Sequence, residues 1–170
     1  MADAAKTPIK VRFYRFRNVL KDKTVGVGGG PIVIDEAALN AATAALEKMA
    51  EDYPDYVTKS VEELRAHLAR CVDTPTERVK RYAMMREVAH DMKGQGGTFG
   101  YPLITTFAAS LYDCTGPRSG TTDGHVDIIK SHIDAMSAVI KDRVKGDGGE
   151  IGKALSMGLK MAIEKHGKPA

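Results

Sequence analysis

The chain has 170 residues, of which 43% are hydrophobic and 28% charged, and its formal net charge is +3. This length and composition predict one globular domain with a sizeable core and exclude a predominantly disordered chain. The small positive charge does not by itself indicate a nucleic-acid-binding domain. No apolar run is long enough to span a membrane, and no apolar segment follows the basic N-terminus as in a signal peptide. We therefore expect a cytoplasmic protein with no membrane partner.

Residues 1–34 differ in character from the rest of the chain. Ile9–Phe13 alternates apolar and charged residues as in a half-exposed strand, and the glycine-rich Val25–Pro31 separates it from the β-branched run Ile32–Ile34. We predict an N-terminal arm, either an irregular or short β hairpin or a mobile segment. The glycine run lacks the Gly-Lys-Ser/Thr ending of a phosphate loop and the spacing of a dinucleotide fingerprint.

The arm is rich in basic residues, which lie among Phe13, Tyr14 and Phe16. They are Lys6, Lys10, Arg12, Arg15, Arg17, Lys21 and Lys23. This composition is compatible with a nucleic-acid or acidic partner. We favour the simpler interpretation, a solvated arm with no nucleic-acid partner.

From residue 35 onward the apolar spacing becomes helical. Asp35 can cap a first helix, and Pro54 either breaks this helix or begins the next one. The apolar positions of these two segments are Leu39, Ala42, Leu46, Met49, Tyr56, Val57, Val61, Leu64, Leu68 and Cys71. A capping box at Thr74–Glu77 then predicts the start of a helix that runs to about Thr98.

Three more helices are predicted after this one. The first runs from about Pro102 to Cys114, and the loop Gly116–Gly120 separates it from a long helix that ends at Gly146–Gly149. A last amphipathic helix follows. We predict an all-α fold, an antiparallel up-and-down four-helix bundle with an additional helix. Its domains are the arm at 1–34, the bundle at 35–147, and the C-terminal helix and tail at 148–170.

His90 lies on the exposed side of the helix that begins near Thr74. The core stripe of this helix is Tyr82, Met85, Ala89, Met92, Gly96 and Phe99. His90 is about 130° from the centre of that stripe at 100° per residue. The neighbours of His90 on the adjoining turns are Ala83, Arg86, Lys93, Gly94 and Gly97.

The glycines beside His90 need an explanation, because each glycine inside a helix costs about 1 kcal/mol relative to alanine. Gly94 and Gly97 would clear space for another protein, and Lys93 would place a cation beside an anionic group on the imidazole. This set indicates a phosphoryl-accepting site. The alternative is an ordinary surface histidine, with glycines that mark close helix packing.

Residues 89–100 read Ala-His-Asp-Met-Lys-Gly-Gln-Gly-Gly-Thr-Phe-Gly and resemble the signature of histidine-containing phosphotransfer domains, Ala-His-x-Leu-Lys-Gly followed by an apolar-Gly pair. Met92 takes the Leu position, and Asp91 departs from the hydroxyl or basic residue that often follows the histidine. The resemblance implies that His90 accepts the phosphoryl group and that Lys93 stabilises it. The partner-binding residues would be Ala83, Arg86, Gly94 and Gly97.

The resemblance also implies a phosphocarrier that has no turnover of its own. It would receive the phosphoryl group from a sensor histidine kinase or an aspartyl-phosphate receiver and pass it to a response-regulator receiver. No cofactor or metal site is expected on this chain, since the partner receiver supplies the divalent metal. A non-phosphorylated helical scaffold is the alternative function. The partners, the pathway, the oligomeric state and the roles of the arm and the last helix stay open, including whether that helix extends the bundle or covers His90.

The remaining cysteines, histidines and methionines have structural interpretations. Cys71 and Cys114 are expected to be unpaired and buried. His125 and His132 share a helix face but are seven residues apart, whereas metal-binding pairs on a helix are three or four apart. His67 is expected to be a surface residue, and His166 an inert residue of the C-terminal tail. Most methionines are expected in the core: Met49, Met84, Met85, Met92, Met136, Met157 and Met161.

Overall fold

A computed structural model describes residues 35–166 together with the single positions 14 and 19. Within residues 35–166 the chain forms five α-helices, one 3₁₀ turn and no strand, which confirms the all-α prediction. The helices are α1 Glu36–Asp73, α2 Arg78–Gln95, α3 Pro102–Cys114, α4 Asp123–Lys141 and α5 Gly149–His166, and the 3₁₀ turn is Pro75–Glu77. The predicted hairpin of the N-terminal arm lies outside the described residues. The chain divides into two compact units, Met1–Ala41 and Ala42–Ala170.

Helix α1 is continuous over 38 residues, with Pro54 in its interior, so the predicted break at this proline is wrong. A proline inside a helix removes one backbone hydrogen bond, at a cost of about 3 kcal/mol. The helix continues because Tyr53, directly before Pro54, and Val57 and Leu64 after it are buried in the core. At the N-terminus Asp35 caps the helix as predicted, because its Oδ1 accepts a hydrogen bond from the Ala37 amide at 3.0 Å.

The predicted core positions are not all buried. Leu39, Leu46 and Met49, on the first turns of α1, are each more than half exposed. Of the seven methionines predicted to be mostly in the core, three are fully buried, Met85, Met92 and Met136. The other four, Met49, Met84, Met157 and Met161, are exposed, so helical spacing alone overstates how many methionines pack inside.

The start of α2 differs from the predicted capping box. The Thr74 side chain makes no cap hydrogen bond, and the first turn is the 3₁₀ segment Pro75–Glu77. The Glu77 carboxylate instead accepts two hydrogen bonds from Arg81, at 2.6 and 3.0 Å. Both hydrogen bonds end on Oε2, so the Glu77 carboxylate makes a charge-assisted contact with Arg81, four residues ahead.

Helix α2 ends at Gln95, three residues before the predicted end, and turns carry the chain on to Gly100. The Tyr101 amide donates to the Gly96 carbonyl at 2.8 Å, and the Gly100 amide donates to the Gly97 carbonyl at 3.3 Å. Gly100 has φ +84°, the left-handed conformation that closes a Schellman motif. The Gly100 carbonyl in turn accepts a hydrogen bond from the Gly146 amide at 2.9 Å, which ties this turn to the connection after α4.

Neighbouring helices run antiparallel, as the residue pairs that join them show. In each junction the residue number rises along one helix while it falls along the next. The pairs Cys71–Arg78 and Tyr53–Phe99 join α1 to α2 and the turn after it. Arg86–Tyr112 and Gly97–Thr105 join α2 and this turn to α3. Cys114–His125 and Ser110–His132 join α3 to α4. One continuous core of side chains from all five helices lies between them.

Helix α5 packs on α4. Leu155 and Leu159 line a groove beside Ala135 of α4, and the backbone of Gly152 approaches Leu103 of α3. These contacts of α5 are with α3 and α4, and His90 on α2 is exposed. Within residues 35–166, no helix combines the length and the apolar character that crossing a membrane requires.

Candidate functional site

His90 lies on the exposed face of α2, as the helical spacing predicts. The opposite face of the helix is buried by Tyr82, Met85, Ala89 and Met92. Because these four side chains anchor the helix in the core, the rotational position of α2 is fixed. The His90 imidazole is therefore accessible to another molecule on a helix that does not need to move.

Tyr112 of α3 lies beside His90, and the sequence did not identify it. The centroids of the two rings are 5.7 Å apart, and the ring planes are tilted by 45°. The Arg86 guanidinium carbon lies 3.5 Å from the centroid of the Tyr112 ring, and the Lys93 ammonium lies 3.9 Å from it. Both contacts are cation–π interactions, so one half-buried aromatic ring holds the two predicted cations of the site.

Arg86 and Lys93 are held in different ways. The Arg86 guanidinium also donates a hydrogen bond to the backbone carbonyl of Tyr112. Lys93 packs on the ring alone in the contacts that the described residues show. Arg86 therefore has two contacts that fix its direction, whereas the Lys93 ammonium rests on a weaker, single attraction.

The charges around His90 are separated by sign. By helix geometry Arg86 and Lys93 lie on one flank of His90, and Glu87 and Asp91 lie on the other. Both carboxylates line a shallow cavity of about 320 Å³ together with Arg86, His90 and Tyr112. An anionic group attached to the imidazole would be repelled by the acidic flank and attracted to the basic one.

The three glycines after His90 have different surroundings. A Cβ atom added to Gly94 would meet no atom within 4 Å, so the surface there is open. A Cβ added to Gly96 would lie 2.7 Å from Thr105 Oγ1 and 2.8 Å from the Thr105 nitrogen, which makes Gly96 a packing residue. The Gly97 amide donates to Thr105 Oγ1 at 2.9 Å. Cleared space and close packing thus both occur, at different glycines.

Ala83, the remaining predicted contact residue, is exposed one turn before Arg86. Both residues line a second cavity, of about 200 Å³, between α2 and the loop after α3. The structure therefore places Ala83, Arg86, His90, Lys93 and Gly94 on one side of α2.

The other histidines are part of the scaffold. The fully buried His132 contacts the Ile128 carbonyl through Nδ1 and Ser110 Oγ through Nε2, each at 2.8 Å. His125 Nε2 lies 2.7 Å from the Cys114 carbonyl. His166 is the last residue of α5 and not part of a tail, and it lies 4.0 Å from Asp127. His67 is half-buried and lies 3.9 Å from Glu63.

Among residues 35–166 no three histidine, cysteine or acidic side chains come together as metal ligands. The two cysteines there are free, Cys71 buried and Cys114 half-buried.

Burial of His132 makes the stability of the fold dependent on pH. Burial lowers the pKa of His132 in the folded protein, although the hydrogen bond to Ile128 opposes this effect. Below the ordinary histidine pKa of 6.5 the unfolded chain binds a proton at this residue that the folded chain binds only at lower pH, so stability decreases as the pH falls through this range. We expect urea titrations to show that this group lowers the free energy of unfolding by up to about 1.4 kcal/mol for each unit by which the pH falls.

The variant His132→Gln should be less stable at pH 7, but its free energy of unfolding should no longer fall with pH in this way. The variant His67→Gln should keep the pH dependence of the wild type. An unchanged slope in His132→Gln would assign the pH dependence to other groups.

The chain was also compared with known proteins. No protein-family model matches it, no curated protein matches it, and no solved structure matches it.

Proposed function

We propose that this protein is a histidine phosphotransfer protein that accepts a phosphoryl group on His90 and passes it to a response-regulator receiver. The observation that carries the proposal is the exposed imidazole of His90 with two cations held on one flank and an open surface at Gly94. Each feature serves phosphoryl transfer, since the nucleophile is accessible, the charge of the phosphoryl group is balanced, and a partner can approach. The resemblance of residues 89–100 to the phosphotransfer signature supports the same function.

The proposed reaction is an in-line displacement at phosphorus. The ring nitrogen of His90 that bears no proton attacks the phosphorus of an aspartyl phosphate. The new N–P bond forms while the P–O bond to aspartate breaks, and the aspartate leaves as a carboxylate with the bonding electron pair. The transition state is loose, so positioning and charge stabilisation supply most of the catalysis. Lys93 and Arg86 lie where they can stabilise the phosphoryl oxygens.

The proposed fold is the four-helix bundle of this family, formed by α1 to α4, with α5 as the additional helix. The antiparallel order of the neighbouring helices supports this arrangement. We further propose a cytoplasmic location, a sensor histidine kinase or phosphorylated receiver as the donor, and a receiver as the acceptor. The divalent metal would belong to the receiver, and this chain would act as a carrier without turnover.

Label transfer from phosphorylated receivers tests the function. Purified protein is mixed with a panel of receiver domains carrying labelled aspartyl phosphate, and the label on this chain is followed over time. We expect label that is stable to base and labile to acid, the behaviour of phosphohistidine. Base-labile label would place the phosphoryl group on a carboxylate and contradict the proposal. Receivers that bind the chain but never transfer label to it would favour the scaffold alternative.

A further inference from the structure

Tyr112 contacts both cations of the His90 site, and the geometry shows how. Arg86 and Lys93 are seven residues apart, which is about 10.5 Å along the axis of α2. Their charged groups nevertheless lie 3.5 and 3.9 Å from the same ring centroid. Two groups so close to one centroid would overlap on the same face of the ring. The ring therefore lies between them, with one cation on each face.

The phosphoryl group would be attached next to this ring. The His90 and Tyr112 ring centroids are 5.7 Å apart, and Arg86 and Lys93 flank His90 at four residues before and three residues after it. Cations at these two spacings lie on the same helix face as the imidazole. The carboxylates of Glu87 and Asp91 repel a phosphoryl group on His90, and the two cations on the Tyr112 ring attract it.

We propose that Tyr112 is a positioning residue that holds Lys93 beside His90 before phosphorylation and releases it to the phosphoryl group afterwards. Arg86 stays in place, because the backbone carbonyl of Tyr112 also holds it. Lys93 moves, because a dianionic phosphoryl group attracts an ammonium more strongly than the face of a phenol ring does. This inference rests on His90 as the proposed phosphoryl acceptor.

Ring-current shifts in NMR spectra report on both cations. In the unphosphorylated protein, the methylene protons next to the charged groups of Arg86 and Lys93 are expected upfield of their usual positions, because they lie over the Tyr112 ring. After phosphorylation of His90 we expect the Lys93 signals to return most of the way to their usual positions and the Arg86 signals to stay upfield. Lys93 signals that stay upfield, or Arg86 signals that shift together with them, would overturn the proposal.

Potassium phosphoramidate is the phosphoryl donor for this experiment, so no protein partner is needed. The His90 ring nitrogen forms a bond to phosphorus while the P–N bond of phosphoramidate breaks, and the departing ammonia takes the proton that the imidazole loses. A positive NMR result with no transfer from any receiver would sustain the role of Tyr112 and refute the proposed function. Transfer of label from receivers, with Lys93 signals that do not shift, would support the proposed function and refute the role of Tyr112.

Two variants separate positioning from a purely structural role of Tyr112. Tyr112→Phe keeps the ring and should retain both upfield signals and a phosphorylation rate within twofold of the wild type. Tyr112→Leu should lose the upfield signals and react with phosphoramidate about fivefold more slowly, because the cations are then no longer held beside His90. If Tyr112→Leu reacts at the wild-type rate with unchanged thermal stability, Tyr112 does not position the cations.

Discussion

Replacement of His90 with glutamine is expected to abolish phosphoryl transfer, with label at least about 100-fold below the wild-type level. Glutamine keeps a polar side chain of similar reach but has no ring nitrogen that can attack phosphorus. Because His90 is exposed, this substitution should change the free energy of unfolding by less than about 0.5 kcal/mol. The measurement pairs label transfer from a phosphorylated receiver with a urea titration of the same preparation.

Two other histidines provide matched controls for this substitution. His67→Gln and His166→Gln remove imidazoles that lie outside the α2 surface, in α1 and α5. Both variants should accept label at the wild-type rate. Label that persists on His90→Gln would show that a different residue is the acceptor, and the proposed site would then be wrong.

Gly96→Ala is expected to destabilise the fold by about 1–3 kcal/mol. The added methyl group would lie 2.8 Å from both the Thr105 nitrogen and the Tyr101 carbonyl oxygen, which are backbone atoms that cannot rotate away. The end of α2 would have to separate from the start of α3. Urea denaturation checks this expectation: the midpoint should fall, while the dependence of the unfolding free energy on urea concentration stays unchanged.

Gly94→Ala is the matched control, two residues earlier and inside α2. Its new methyl group meets open space, and alanine favours the helix by about 0.5–1 kcal/mol over glycine, so this variant should be more stable than the wild type. Equal effects of the two substitutions would contradict the packing role of Gly96.

Features that depend on a single helix could be predicted from the sequence. Helix α3 has the predicted bounds, Pro102 to Cys114, because a proline in the first turn and the spacing of apolar side chains are local signals. The exposure of His90 follows from the core stripe of its own helix in the same way. The uninterrupted α1 could not be predicted, because tolerance of Pro54 depends on how the side chains around it pack against other helices.

The partner side chains of the site could not be predicted, because they depend on the register between helices. Tyr112 becomes the support for Arg86 and Lys93 only because α2 and α3 are antiparallel with one particular offset. Ser110 becomes the partner of His132 for the same reason, between α3 and α4. A sequence pattern places each residue on a face of its own helix but does not state which residue lies opposite.

The hydrogen bond from the Gly146 amide to the Gly100 carbonyl joins two connections that are far apart in the chain. One connection ends the helix that carries His90, and the other leads into α5. Opening either connection breaks this bond and leaves its donor and acceptor to be hydrated by water, so the bond links the opening of one connection to the other. Opening of the Gly96–Tyr101 turn therefore frees the Gly146 amide for hydrogen exchange with solvent, at the entry to α5.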